Sequence, residues 1–125
     1  MKTLFAANYA RASRNAAAPP KVLLKFGAFH GYRGLNPVHG SGIGNYVAEL
    51  AEGQGTQSLH IRLMAAQGLP PIFFNNLLQS DWTMFDLRPF RPHLSANASA
   101  DVASLVFGYD LLVIVPESTP ASPIR

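Results

Sequence analysis

One glycine-rich stretch carries an unusual density of side chains with catalytic or ligand-binding chemistry. His30, Tyr32, Arg33, His39 and Ser41 lie within residues 28–43, beside Gly31, Gly34, Gly40 and Gly42. A histidine titrates near neutral pH and can act as a general base, while a neighbouring guanidinium can hold an anion or a developing oxyanion. Hydrolysis of an ester or lactone would need both roles. Holding an anionic or carbonyl-bearing small molecule would need only the second, and for that Arg33, Tyr32, His39, Ser41 and Gly42 are the candidate ligand-binding residues. The competing reading of His30 is a histidine that hydrogen-bonds loop backbone.

The run Gly40-Ser41-Gly42-Ile43-Gly44 precedes an expected helix, so it resembles a cradle in which backbone N–H groups hold an anion. It lacks the spacing of a dinucleotide fingerprint and the Lys-Ser/Thr pair of a nucleotide-triphosphate loop. Nor is His39-Gly-Ser41-Gly-Ile43 a nucleophile elbow, which needs glycines two residues either side of the serine. Ser41 therefore reads as a turn or capping residue rather than a nucleophile.

The chain has no cysteine, which excludes disulfide scaffolds, thiolate metal sites and cysteine nucleophiles. His30, His39, His60 and His93 form no His-x₃-His pair and no His-Glu-x-x-His motif, so no metal site is expected. His60 is placed on the polar side of a strand and His93 in a proline-rich turn, both solvated. No motif names a cofactor.

Charge is distributed unevenly. Residues 1–48 contain no Asp or Glu and carry Lys2, Arg11, Arg14, Lys21, Lys25 and Arg33, a formal +6. Residues 49–125 hold all seven acids against four arginines, a formal −3. The basic half lacks the interleaved aromatics and clustered cations of a nucleic-acid module, so a solvated basic face is expected and nucleic acid is not. Charged residues are only 14% of the chain, below the usual share of about 25%, which points to surface built to be covered.

These residues need elements to position them. A leading helix is expected within residues 1–18, with its body at 2–17, where Phe5 and Tyr9 recur at i, i+4 before Pro19-Pro20. Lys21-Val-Leu-Leu-Lys-Phe-Gly27 suits a buried strand, which would deliver His30 to the mouth of a cleft at its carboxyl end, near Arg33. A helix follows over 44–52, stopped by Gly53 and Gly55, and then a strand over 58–64. Residues 72–78 suit either a short helix or a strand. A strand at 82–87, a helix at 101–107 and a strand at 110–115 complete the order, with a Pro-rich tail over 116–125.

At 125 residues this is one α/β domain, with a mostly parallel or mixed sheet of about four strands flanked by helices. No apolar run reaches the roughly 18 residues of a membrane helix, and Asn8, Tyr9 and Arg11 interrupt any signal-like start, so no membrane contact and a cytoplasmic location are expected. An uncovered sheet edge in so small a sheet would recruit a second copy or a partner chain.

Two segments are similar to erythromycin esterase-like proteins, which belong to a superfamily with Tiki-type proteases and haem-uptake ChaN-like proteins. They are Lys21-Val-Leu-Leu-Lys-Phe-Gly-Ala-Phe-His30, with its loop and Gly44-Asn-Tyr-Val-Ala-Glu-Leu, and Phe107-Gly-Tyr-Asp110-Leu-Leu-Val-Ile-Val-Pro-Glu-Ser-Thr-Pro. They cover about 21–53 and 104–120, with Leu87-Arg88-Pro89 between. The resemblance implies the carboxyl-terminal half of a larger α/β hydrolase. It carries over one catalytic residue, His30, as the last histidine of the family's His-Asn-x-His. Gly27 and Ala28 stand where that motif has its first histidine and asparagine. The family's Glu and His from a Gly-Glu-x-x-His-type motif have no counterpart here. The expectation is a domain that binds a ligand or is inactive alone. The alternatives are an ester or lactone hydrolase using His30, and an interaction subunit completed by a partner.

Overall fold

The structure, a computed structural model, describes residues 1–36, 40–66 and 82–116. It comprises two compact units, Met1–Ser58 and Leu59–Arg125.

The first unit starts with α1, Lys2–Ser13, favoured by alanines at 6, 7, 10 and 12. It ends four residues before the sequence expectation. Ser13 Oγ donates back to the Tyr9 carbonyl at 2.8 Å, a local bond that competes with helix propagation, and Arg14 and Asn15 form a turn. The i, i+4 pair is as expected: the Phe5 and Tyr9 rings stack at 5.7 Å, Phe5 meets Tyr46 edge-on at 6.2 Å, and Tyr9 Oη donates to Gln54 Oε1 at 2.8 Å. Tyr46 and Gln54 belong to α2, Ile43–Gly53, and its C-cap, so these contacts fix one helix on the other.

Lys21–Gly27 is not a strand. It carries neither helix nor ladder, and a short 3₁₀ turn, Ala28–Gly31, follows. Apolar content made this segment read as a buried strand, but among the described residues no neighbouring strand pairs with it. Two two-residue strands, β1 (Leu35–Asn36) and β2 (Gly40–Ser41), pair antiparallel within the loop. Tyr32, Asn36 and Ile43 are the buried residues that knit this unit.

The second unit holds a three-stranded mixed sheet in the order β3–β5–β4, with β3 Ile61–Ala65, β4 Thr83–Asp86 and β5 Leu111–Val115. The α/β class is as expected, though among the described residues the sheet has one strand fewer and one parallel pair. β3 runs parallel to β5, with Leu63 opposite Val113, and β4 runs antiparallel to it, with Met84 opposite Val113. The central position of β5 accounts for its unbroken apolar run, because a strand flanked on both sides needs no polar edge. Leu112 and Ile114 are buried on one face, while Leu111, Val113 and Val115 are half-buried on the other. A 3₁₀ segment, Arg88–His93, and α3, Ala100–Gly108, also belong to the unit. Ser99 Oγ caps α3 by accepting the Val102 amide at 3.3 Å, and Asp101 sits favourably in its first turn. The possible element at 72–78 and all but the first residue of the 116–125 tail lie outside the described residues.

Candidate functional site

The glycine-rich loop is built around one close approach. A Cβ on Gly44, in the first turn of α2, would lie 2.5 Å from the Gly31 carbonyl carbon and 2.6 Å from the Gly31 and Tyr32 carbonyl oxygens. No side chain fits there, so the 3₁₀ turn rests directly on the start of α2. Gly42 is close but less tight, with the His30 carbonyl oxygen 3.3 Å from the position of its Cβ. The loop therefore does bring His30 to the amino end of α2, although no strand delivers it there.

The side chains do not converge as expected. His30 is exposed, its ring edge-on to Phe26 at 6.5 Å and its amide donating to the Gly27 carbonyl at 3.0 Å. Among the described residues no carboxylate orients its imidazole, and no three His, Asp or Glu side chains gather as a metal would require. The Arg33 guanidinium donates to the Ser58 carbonyl at 2.9 Å, committing that donor to tying the chain after α2 to the loop. Tyr32 is buried in the unit's core. His39 lies outside the described residues.

Ser41 does not cap α2. Gly42 is the N-cap and offers no side chain, while Ser41 Oγ accepts from Lys2 Nζ at 2.9 Å and from Asn45 Nδ2 at 3.3 Å. Asn45 Nδ2 also donates to Glu49 Oε1 at 2.7 Å. Lys2 and Asn45 are thus two donors beside the loop that the sequence reading passed over. Lys2 lies 39 positions from Ser41, and no local pattern could have paired them.

A second polar cluster, also missed, sits at the amino ends of β3 and β5. Asp110, only 2% exposed, accepts the His60 amide at 2.8 Å through Oδ2 and Arg91 Nη2 at 2.9 Å through Oδ1. Arg91 further donates to the Tyr109 carbonyl at 2.9 Å and the Val106 carbonyl at 3.1 Å. The His60 carbonyl accepts the amides of Asp110 and Leu111, and the Asp110 carbonyl accepts that of Leu87. His60 is therefore buried rather than solvated, a correction traceable to its place just before β3 in this network, whereas His93 is exposed as expected. These bonds make the cluster a clamp that binds the 3₁₀ segment and α3 to the sheet.

The third feature is apolar. Ile61 and Leu63 on β3 and Met84 on β4 share one face of the sheet, exposed to 45%, 61% and 66%. Trp82, just before β4, is exposed as well. No described helix is long and apolar enough to cross a membrane.

Fold and site together define a small α/β chain with a mixed sheet, a helix-mounted loop and an open apolar sheet face. No family model matches the chain, and neither does any curated protein or solved structure.

Proposed function

We propose that the chain is an interaction subunit, completed by another polypeptide that covers its sheet, rather than a self-sufficient enzyme. The observation that carries this reading is the sheet face bearing Ile61, Leu63 and Met84. Side chains of this size contribute about 1.5–3 kcal/mol each when buried, and contiguous apolar surface of this kind marks protein–protein contact. β3 adds an edge whose exposed face carries no charge or proline to deter pairing.

A second reading, a small-anion ligand at the loop, is favoured by Lys2, Ser41 and Asn45 meeting beside the first turn of α2. Hydrolysis is the weakest of the three. The similarity to erythromycin esterase-like proteins leaves only His30 as a catalytic group, and Arg33, its intended oxyanion partner, already holds the Ser58 carbonyl. The location stays a proposal too: a cytoplasmic chain, in keeping with its lack of cysteine.

Sedimentation velocity with an apolar reporter dye tests the reading. The chain is expected to associate, or to bind dye as a monomer, and Leu63→Glu should reduce whichever behaviour is seen. A monomer that binds no dye overturns it.

A further inference from the structure

We propose that the partner is a second copy of this chain, whose Lys21–Phe26 segment adds as a strand along the outer edge of β3. This rests on the interaction reading above and names the occupant of the β3 edge, where the partner engages the sheet.

Two unsatisfied backbones of matching length carry the inference. Among the described residues β3 pairs with β5 alone, leaving the other side of its five residues without a ladder. Lys21–Phe26 makes no hydrogen bond among the described residues, although Val22-Leu23-Leu24 and Phe26 give it strand-forming apolar character. Leu23 is 94% exposed, an unusual state for a leucine in the middle of an apolar run. Exposed backbone of this kind gains hydrogen bonds and apolar burial together when it joins a sheet edge.

Side-chain alternation and charge together favour one facing of the segment, and pairing at the middle of β3 centres it. Placing Leu23 beside Leu63 puts Lys21 and Lys25 on the open face, next to Ile61 and Ala65. Val22 and Leu24 then fall beside Arg62 and Met64 on the other face, so no lysine meets Arg62 in either strand direction. The only acid among the described strand residues, Asp86 on β4, lies on the lysine-bearing face, because it pairs in register with Leu111. Charge favours the exchange at longer range too, since residues 1–48 carry a formal +6 and residues 49–125 a formal −3. Reciprocal donation by two copies closes the assembly as a two-fold dimer in which both β3 edges and both Lys21–Phe26 segments are used.

The absence of native cysteine allows a direct test. Full-length Leu23→Cys and Leu63→Cys chains, carrying different mass tags, are mixed and oxidised. Both positions are exposed, so neither variant should unfold. The expected product is the mixed 23–63 disulfide, since directly opposed Cα atoms on paired strands lie about 4.5–5.5 Å apart, within the roughly 4.4–6.8 Å that a disulfide spans. Leu23→Pro, which removes a ladder donor outside every described helix and strand, should weaken the dimer about tenfold or more. A dimer without the 23–63 bond, or with 63–63 bonds in its place, overturns the strand assignment and leaves the interaction reading standing. A dye-binding monomer overturns the second copy alone. A monomer that binds neither dye nor partner overturns both.

Discussion

Arg91 and Asp110 meet at 2.9 Å through the guanidinium and a carboxylate that is almost wholly buried, and this pair joins the 3₁₀ segment to the first residue before β5. Asp110 also takes the His60 amide, so one side chain fixes the starts of both parallel strands.

Removing Arg91 takes from that buried carboxylate the guanidinium bonded to it. Arg91→Ala should cost about 3 kcal/mol, at the lower end for a buried pair because the arginine keeps some solvent contact. Asp110→Asn keeps one acceptor and should cost less, about 1–3 kcal/mol. Urea unfolding monitored by circular dichroism measures both, and equal stability of Arg91→Ala and wild type would contradict the clamp.

Gly44 and Gly53 lie on the same helix and should respond oppositely to alanine. Gly44→Ala drives a methyl group into the Gly31 and Tyr32 backbone, for an expected loss of about 1–3 kcal/mol as the loop is pushed off α2. Gly53→Ala meets nothing within 4 Å and should be neutral or stabilising by up to about 1 kcal/mol. Thermal melts of the two variants decide it.

Asp86 is bonded by Arg88, whose Nη2 approaches Oδ2 at 2.6 Å, and this side-chain bond lowers its pKa from 3.8 to about 2. A carboxyl depressed on folding stabilises the native state at pH values above its unfolded pKa. That contribution fades as pH falls from about 4 towards 2. An NMR titration should find the Asp86 midpoint near 2, and Arg88→Ala should return it towards 3.8.

His30→Ala should leave any background hydrolysis of simple esters unchanged. A working general base is worth about 10²–10⁴ in rate, so a loss of that size in His30→Ala would restore the hydrolase reading. A stopped assay on an activated ester, at matched concentration of both chains, measures the difference.

The sequence was most legible where the pattern was local. The apolar run before Pro116, the Phe5/Tyr9 pair and the glycine stop after α2 led to β5, to the facing of α1 and to the end of α2 within a residue or two. It misled where an apolar run had a choice. Lys21–Phe26 and Leu111–Val115 both contain an aliphatic run, yet among the described residues only the second has neighbours on both sides. Pairing depends on residues far away in the chain. The loop's chemistry was half legible for the same reason: the glycines revealed a tight approach to α2, but the Arg33 bond to Ser58 and the Lys2 bond to Ser41 span 25 and 39 positions. No spacing rule reaches that far. The Asp110 clamp was hidden because a polar residue at the start of a strand reads as a strand boundary, and its burial depends on Arg91 folding back.

Hydrogen exchange of the full chain across a dilution series tests most directly whether β3 is an edge open to another chain. The β5 amides, central in the sheet, should exchange slowly at every concentration. The outward-facing β3 amides should exchange fast when the chain is dilute and slow as concentration rises. β3 amides as protected as those of β5 at the lowest concentration would show that the edge is already filled within one chain, and would contradict the account.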